Sequence, residues 1–222
     1  MSAVAFSFAG QEFVPLTSGA LFWPSRNALL VADLHFEKAS WYGTRQQFLP
    51  PYDTSDTLAA LIDAVEATGA ASLWCLGDSF HDAGGPDRLP AVARALLERL
   101  TRTLDWLWIT GNHDHEVARS LGGRVMAECE ASGILLRHEA DPTEAKPEIS
   151  GHYHPKLKLN VRGRGISRRC FAVTSGKIVL PAFGALTGGL DVGDPVFGRV
   201  LGAPLMALVP TADRLLRFPV AA

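Results

Sequence analysis

The sequence predicts a mixed α/β protein, and two observations support this. In the first half of the chain, short apolar runs alternate with segments whose apolar residues recur at helical spacing. In the second half, short strand-like runs are separated by glycine, proline and polar residues, which is typical of hairpins and compatible with a second sheet packed on the first. A length of 222 residues fits one domain spanning residues 1–222.

Three apolar runs in the first half predict buried strands. They are residues 27–32 (NALLVA), 72–76 (SLWCL) and 104–109 (LDWLWI). Each run ends at glycine or at a cluster of polar residues. The runs are too short for helices and are therefore interpreted as strands.

Two helices are predicted between these strands. The first can be capped by Asp53, Thr54 or Ser55 and ends before Gly69. The second is predicted to open at Pro86 and to carry one apolar stripe as far as Leu100. Strands joined by crossover helices run parallel, so their carboxyl ends share one edge of the sheet, where ligands bind in open α/β sheets.

The second half contains seven further strand-like runs, all short and rich in apolar or β-branched residues. They are residues 124–127, 134–137, 157–161, 170–174, 178–180, 205–209 and 215–218.

Composition excludes several classes of protein. A formal net charge of −2 gives no overall attraction to nucleic acid or to acidic membranes, so such binding would need a local patch. The three cysteines form no CxxC pair, which favours a reduced compartment. Neither a basic leader nor an apolar run of about 18 residues is present, so no membrane association is predicted and a cytoplasmic location is expected.

The seven histidines carry the strongest functional signal. Six of them lie in short clusters with glycine, aspartate or asparagine. The seventh, His138, ends an apolar run, and taken alone it favours a structural role. A lone histidine is usually structural, but clustering favours metal binding for the set.

The spacing within two clusters places side chains together if the backbone there is extended. Residues i and i+2 of an extended segment share a face, so Asp33 and His35 would point the same way. The same reasoning applies to His152 and His154. Asp78 and Asn112 follow neighbouring strands and would add oxygen ligands at the same edge.

Together these residues are too many for one tetrahedral ion. Two carboxylates, an amide oxygen and four imidazoles suit two ions about 3.5–4 Å apart with a bridging carboxylate. Nitrogen and oxygen donors without thiolate favour two divalent ions, with Mn²⁺ preferred over Fe and Zn as alternatives. Such a pair holds a phosphate and activates water for in-line attack.

Five motifs resemble, in order and rough spacing, those of the calcineurin-like metallophosphoesterases. They are Asp33-Leu34-His35, Gly77-Asp78, Gly111-Asn112-His113-Asp114, His138 and Gly151-His152-Tyr153-His154. The resemblance covers residues 27–155. It implies the metallophosphoesterase fold, a four-layer α/β/β/α sandwich of two mixed β-sheets with the site at the strand ends.

The resemblance also implies a role for each motif residue. Asp78 would bridge the two ions, and His113 would act on the leaving oxygen as a proton donor or charge stabiliser without binding metal. Asp114 is a candidate support for His113, whereas His115 and Glu116 are assigned no role. The remaining ligands would be Asp33, His35 and His154 for one ion, and Asn112, His138 and His152 for the other.

One motif departs from the pattern common in phosphatases of this superfamily. Where many have a second aspartate three residues after the first, this chain has His81, with Asp82 one position later. This arrangement is similar to the DNA-repair nuclease branch, in which the histidine approaches the substrate. His81 is therefore a second catalytic candidate, and Asp82 either orients His113 or has no role.

A more specific resemblance extends over most of the chain. Residues 32–54 and 180–192 are similar to the small bacterial group of ligase-associated DNA damage response endonucleases, the PdeM group, whose genes neighbour an ATP-dependent DNA ligase and a helicase. This implies a DNA endonuclease with DNA as substrate and those two enzymes as candidate partners. The alternatives are a phosphohydrolase of a nucleotide or other small phosphoester, and a non-catalytic scaffold, which the full ligand set disfavours.

Three sequence features are each compatible with two interpretations. Residues 156–169 carry six basic residues and no acid, so they either follow a phosphate backbone or form a solvated hairpin with a protected edge. The glycines of residues 183–193 either admit substrate or form turns, and turns are favoured. The five tryptophans are expected in the core rather than as stacking platforms for bases.

Overall fold

Two seven-stranded sheets and a separate hairpin form the β-structure of the described residues. The structure is a computed structural model that describes residues 4–112 and 121–220. Both sheets contain parallel and antiparallel pairs, as expected from the resemblance.

The first sheet has its strands in sequence order. The pairs from β1 to β4 are antiparallel, and those from β4 to β7 are parallel. The three strands predicted in the first half are therefore found with the predicted parallel pairing. The strands are β1 (Phe6–Phe8), β2 (Gln11–Pro15), β3 (Leu21–Trp23), β4 (Ala28–Val31), β5 (Ser72–Leu76), β6 (Asp105–Ile109) and β7 (Arg124–Met126).

The second sheet has the order β16-β15-β13-β14-β10-β9-β8. Its central pairs, β14 with β10 and β10 with β9, are parallel, and the others are antiparallel. Its strands are β8 (Cys129–Ala131), β9 (Ile134–Leu136), β10 (Glu148–Ser150), β13 (Phe171–Val173), β14 (Lys177–Val179), β15 (Leu205–Pro210) and β16 (Leu215–Val220). The basic run forms the hairpin of β11 (Lys156–Val161) and β12 (Arg164–Arg169).

Five α-helices are present among the described residues. They are α1 (Lys38–Gly43), α2 (Asp53–Thr68), α3 (Gly85–Arg88), α4 (Ala91–Thr103) and α5 (Pro195–Leu201), with a short 3₁₀ turn at Pro24–Arg26. Gly69 ends α2 in the left-handed conformation, as predicted. Among the described residues, no helix is at once long and apolar enough to cross a bilayer.

The prediction of a single helix opening at Pro86 is wrong. The chain forms two helices there, α3 and α4, separated by Leu89 and Pro90. Pro90 has no amide hydrogen to continue the first helix, and it drives the preceding residue out of the helical region. Leu89 accordingly has φ −53° and ψ 125°.

Alternation along the strands divides the core into layers. In β4, Leu29 and Val31 pack with α2 and α4, whereas Ala28 and Leu30 pack against the second sheet. The far side of the second sheet is covered by α5 through Phe197. The order is therefore helix, sheet, sheet, helix, which confirms the four-layer sandwich.

The tryptophans follow the prediction with one exception. Trp23, Trp74, Trp106 and Trp108 are buried in the core. Trp41 is only half-buried, because it lies on the short helix α1 beside the strand ends. The expectation of a core position is therefore wrong for Trp41.

Candidate metal centre

The polar residues of the five motifs meet at one edge of the sandwich. Each lies just after a strand, at its carboxyl end. Asp33 and His35 follow β4, Asp78 follows β5, and Asn112 follows β6 in the first sheet; His138 follows β9, and His152 and His154 follow β10 in the second.

The backbone at these positions is left-handed rather than extended. Asp33 and His35 have φ of 56° and 46°, and His152 and His154 have φ of 70° and 48°. The reasoning from an extended i, i+2 pair is therefore wrong, although the side chains do converge. Non-glycine residues adopt this conformation at a cost of about 1 kcal/mol each, and such residues concentrate at functional sites.

Hydrogen bonds between the loops stabilise this backbone. Asp33 N donates to Gly77 O at 3.1 Å, and His35 N donates to Asp78 O at 3.0 Å. Across the two sheets, His152 N donates to Asp33 Oδ2 at 3.0 Å. The loops after β4, β5 and β10 thus position one another.

The first group of donors is Asp33, His35 and His154. The Nε2 atoms of His35 and His154 are 3.3 Å apart. His154 Nε2 is also 3.3 Å from Asp33 Oδ1, and one ligand atom from each residue lies within 4.8 Å of the others. Asp33 is completely buried, so its charge needs compensation that a cation would supply.

The second group of donors is Asp78, His138 and His152. His138 Nε2 is 3.1 Å from His152 Nδ1 and 3.5 Å from Asp78 Oδ1. Asn112 joins the group, since its amide nitrogen lies 3.4 Å from His152 Nδ1. A half-turn of that amide would present Oδ1, and the two amide atoms are nearly indistinguishable in shape.

Asp78 lies between the two groups. Its Oδ1 faces His138, while its Oδ2 is 4.0 Å from His35 Nε2. This is the position that a bridging carboxylate requires. The individual ligand assignments stay predictions, but the geometry defines two candidate metal-binding groups side by side.

The donors fit divalent ions in both distance and chemistry. Atoms about 2.1 Å from one ion lie about 3.0–3.4 Å apart at octahedral or tetrahedral angles. The nitrogen–nitrogen contacts of 3.1 and 3.3 Å fall within this range, and the nitrogen–oxygen contact of 3.5 Å is slightly longer. Imidazole and carboxylate together suit manganese, iron or zinc.

The protonation of His138 also suits metal binding. Its Nδ1 is 3.0 Å from Leu76 O, a carbonyl that can only accept, so this contact favours the tautomer with the proton on Nδ1. Nε2, the nitrogen that faces Asp78 and His152, then has the free lone pair. Gly77 permits this packing, since a Cβ atom there would lie 2.3 Å from His138 Nδ1.

Glu139 is a residue of the site that the sequence reasoning missed. Its Oε1 lies 3.7 Å from His152 Nε2 and accepts a hydrogen bond of 2.9 Å from the Tyr153 hydroxyl. Burial, and then the bond to Glu139, raises the pKa of the Tyr153 phenol, so the hydroxyl stays a donor. At 3.7 Å the Glu139 carboxylate is too far from His152 Nε2 for a hydrogen bond, so it contributes a nearby negative charge only. The available signal was its position directly after His138.

The glycine-rich segment of residues 183–193 contains turns at residues 185–186 and 192–193, as favoured, and its beginning has a further structural role. Phe183 N donates to Ala32 O at 2.8 Å, and Gly184 N donates to Asp33 O at 3.2 Å. A Cβ atom on Gly184 would lie 2.2 Å from Leu34 O. The segment therefore packs directly behind the first motif and supports it.

His81 lies beside the first group of donors. Its ring centroid is 5.6 Å from that of His35 and 4.6 Å from that of Trp41. Arg88 forms an ion pair with Asp82. Its guanidinium also donates to Ser40 Oγ at 3.0 Å, so Arg88 links α3 to α1. The contacts place His81 next to a candidate ligand, and its catalytic role stays a prediction.

Four predicted or considered residues lie outside the described residues. They are His113, Asp114, His115 and Glu116.

Metal removal should lower stability markedly. A ligand that binds only the folded state stabilises it by about 4 kcal/mol at a thousandfold excess over its Kd. For a chain of this size, that corresponds to a drop in Tm of about 10 °C on chelation, reversed by Mn²⁺. Differential scanning fluorimetry with and without EDTA measures it. His138→Ala should respond much less to Mn²⁺, and equal melting of the wild type with and without chelator would contradict metal binding.

The chain is similar to a known protein family and to solved structures. A model of the calcineurin-like phosphoesterase family matches residues 27–163. The chain is similar to the solved nuclease MPE of Pseudomonas putida, with 28% identity, a TM-score of 0.74, and coverage of 98% of this chain and 100% of that one. It is also similar to Yfce, a phosphoesterase from E. coli, with 14% identity, a TM-score of 0.46, and coverage of 87% and 99%. No curated protein sequence matches it.

The family model matches more than half of the chain, including every candidate metal ligand. The resemblance found in the five motifs is thereby confirmed. The protein is a phosphoester hydrolase that belongs to the calcineurin-like phosphoesterase family.

Proposed function

We propose that the protein is a dinuclear, Mn²⁺-dependent phosphodiesterase that cleaves DNA as an endonuclease. The observation that carries the proposal is the pair of Asp/His groups with Asp78 between them. Two bound divalent ions would polarise a phosphoryl group and activate water for in-line attack. Nuclease activity is further supported by the 28% identity to the nuclease MPE over nearly the whole chain.

In this proposal the candidate site residues have distinct roles. Asp33, His35 and His154 would hold one ion, Asn112, His138 and His152 would hold the other, and Asp78 would contact both. His113 gives a proton to, or stabilises charge on, the leaving oxygen, a task for which the near-neutral pKa range of imidazole is suited. His81, beside His35, contacts the substrate. The resemblance to the ligase-associated group supports a role in DNA repair with an ATP-dependent ligase and a helicase.

A metal-by-substrate screen tests the proposal. Purified protein is incubated with Mn²⁺, Fe²⁺, Zn²⁺ or Mg²⁺ and with bis(p-nitrophenyl) phosphate, p-nitrophenyl phosphate, single-stranded DNA or nicked duplex. We expect Mn²⁺ to support cleavage of the diester and of DNA, including linearisation of a single-stranded circle, which only an endonuclease can open. Cleavage of monoesters alone would refute the nuclease assignment.

The hairpin of β11 and β12 provides a test of whether the substrate is DNA or a small phosphoester. Its two ends serve the fold, since Lys156 Nζ donates to Thr187 O at 3.4 Å and an Arg169 nitrogen donates to Gly184 O at 2.7 Å. Arg162 and Arg164, near the tip, are exposed. The hairpin begins two residues after His154, so these tip cations are available for phosphates of a long substrate.

Reversing the charges near the tip should weaken the salt dependence of DNA cleavage. Each lost phosphate contact changes the slope of log affinity against log salt by about 0.7 for a single strand, so Arg162→Glu with Arg164→Glu should reduce it by about 1.4. The slope of log kcat/KM against log NaCl concentration measures this. Arg99→Glu with Arg102→Glu, exposed on α4, is the matched control and should keep the wild-type slope. An unchanged slope in both variants would favour a small substrate.

A further inference from the structure

The loop between α1 and α2 exposes large apolar rings to solvent. This rim loop comprises residues 44–52 (TRQQFLPPY). Phe48 is 87% exposed and Tyr52 63% exposed, although rings of this size are normally buried in folded proteins. Arg45 is the only charged residue of the rim loop. Such a surface indicates a binding role rather than a structural one.

Both ends of the rim loop are attached to the segment that follows the first metal motif. At its beginning, Gln47 N donates to Tyr42 O at 3.0 Å, which turns the chain back towards α1. At its end, the Asp53 carboxylate accepts from Ala39 N at 3.0 Å. Thr54 Oγ1 donates to the buried Glu37 carboxylate at 2.9 Å. The ends of the rim loop are therefore fixed to the segment that follows His35.

A row of planar groups leads from the metal centre to the rim loop. The His81 ring lies 5.6 Å from His35, and the Trp41 ring lies 4.6 Å from His81. The guanidinium of Arg45 lies 3.6 Å from the centre of the Trp41 ring, a cation–π contact. Tyr42 is stacked on His81 at an interplanar angle of 17°. Neighbouring planar groups thus extend from a candidate ligand to Arg45 of the loop.

We propose that the rim loop is a stacking platform for the bases of an unpaired nucleic-acid strand, with Phe48 and Tyr52 as the stacking side chains. The inference rests on the proposed nuclease function and assigns the residues that hold the bases of an unpaired substrate strand. Every base offers a π-face, so aromatic side chains bind single strands without sequence preference, and arginine adds attraction to base and phosphate. Acidic residues, which would repel a phosphate backbone, are absent from the sequence of the loop. A duplex keeps its bases stacked on each other and cannot use such a platform.

The test compares strands with and without bases. Steady-state kinetics are measured on a single-stranded oligothymidylate, on a strand of equal length made of abasic units, and on duplex DNA. Loss of one stacked base costs about tenfold or more in binding, so Phe48→Ala should raise KM for oligothymidylate about tenfold, and the double variant with Tyr52→Ala about a hundredfold. The value of kcat should change by less than about twofold, and the penalty should disappear on the abasic strand.

Two substitutions separate stacking from a merely apolar contact. Phe48→Trp keeps a π-face and should retain the wild-type KM. Phe48→Leu keeps an apolar side chain without a π-face and should behave like Phe48→Ala. Val92→Ala, which removes another highly exposed apolar side chain on α4, is the control and should match the wild type on all three substrates.

The possible failures are distinguishable. If the wild type hydrolyses bis(p-nitrophenyl) phosphate but no nucleic acid, the proposed nuclease function fails before the variants matter. If the wild type cleaves DNA but Phe48→Ala raises KM equally on abasic strands, stacking is refuted and the proposed nuclease function is retained. The same conclusion follows if Phe48→Leu has the wild-type KM. A wild-type KM as low for duplex as for single strands would likewise overturn the platform.

Discussion

Asp78→Asn is expected to reduce phosphodiester hydrolysis by about 10³-fold or more. The substitution keeps the shape of the side chain but removes the charge that lies between the two groups of donors, 3.5 Å from His138 and 4.0 Å from His35. Loss of a charge-stabilising group in an active site commonly costs 10²–10³-fold, and loss of an ion costs more. Bound metal, measured by elemental analysis, should fall from two ions to one or fewer.

Stability measurements show whether this loss is chemical or structural. Asp78 is buried, so its neutral replacement removes a desolvated charge from the metal-free protein. We expect the metal-free variant to unfold at a urea concentration no lower than the metal-free wild type. Asp82→Asn is the matched control, because that carboxylate lies on the same loop but pairs with Arg88; its activity should stay within about threefold of the wild type. Full metal content in inactive Asp78→Asn would contradict the bridging role.

His113→Ala is expected to lower DNA cleavage by about 10²–10⁴-fold while both ions remain bound. General acid catalysis typically contributes this factor, and in the proposal His113 acts on the leaving oxygen rather than on a metal. The effect should be smaller for bis(p-nitrophenyl) phosphate, because nitrophenolate leaves without protonation whereas a sugar alkoxide does not. Comparing kcat/KM on the two substrates, with metal content determined on the same samples, measures both effects.

His115→Ala is the control for this prediction. It removes an imidazole two residues further along, to which no role is assigned, and should keep wild-type activity and metal content. If His113→Ala lost metal together with activity, His113 would be a ligand, and the proposed division between binding and proton transfer would be wrong.

Strong local patterns explain why much of the fold could be predicted. The apolar runs of β4, β5 and β6 end at polar clusters, so their limits were found within about two residues, and Gly69 marked the end of α2. The N-terminal strands were missed because β1 and β3 have only three residues each, too few for their alternation to be recognised. The order of the second sheet depends on contacts between distant strands, which local patterns do not encode.

The site was predicted from residue types and motif order, but not from its true geometry. The backbone at Asp33 and His35 was assumed to be extended but is left-handed. This conformation is stabilised by hydrogen bonds to the loop after β5, a contact that the local sequence pattern does not reveal. His138 alone gave no signal, and only the fold brings it to His152. The exposure of Phe48 could not be predicted either, because an apolar residue in a loop can also be buried under the loop.

The origin of the ligands in both sheets determines when the site can form. Each group combines residues that follow strands of the first sheet with at least one that follows a strand of the second: His154 completes one group, and His138 and His152 complete the other. A nascent chain that has emerged only as far as β7 holds no complete group. Ion binding at either group would therefore require the second sheet to be docked on the first, so a bound ion would stabilise the contact between the two halves of the chain.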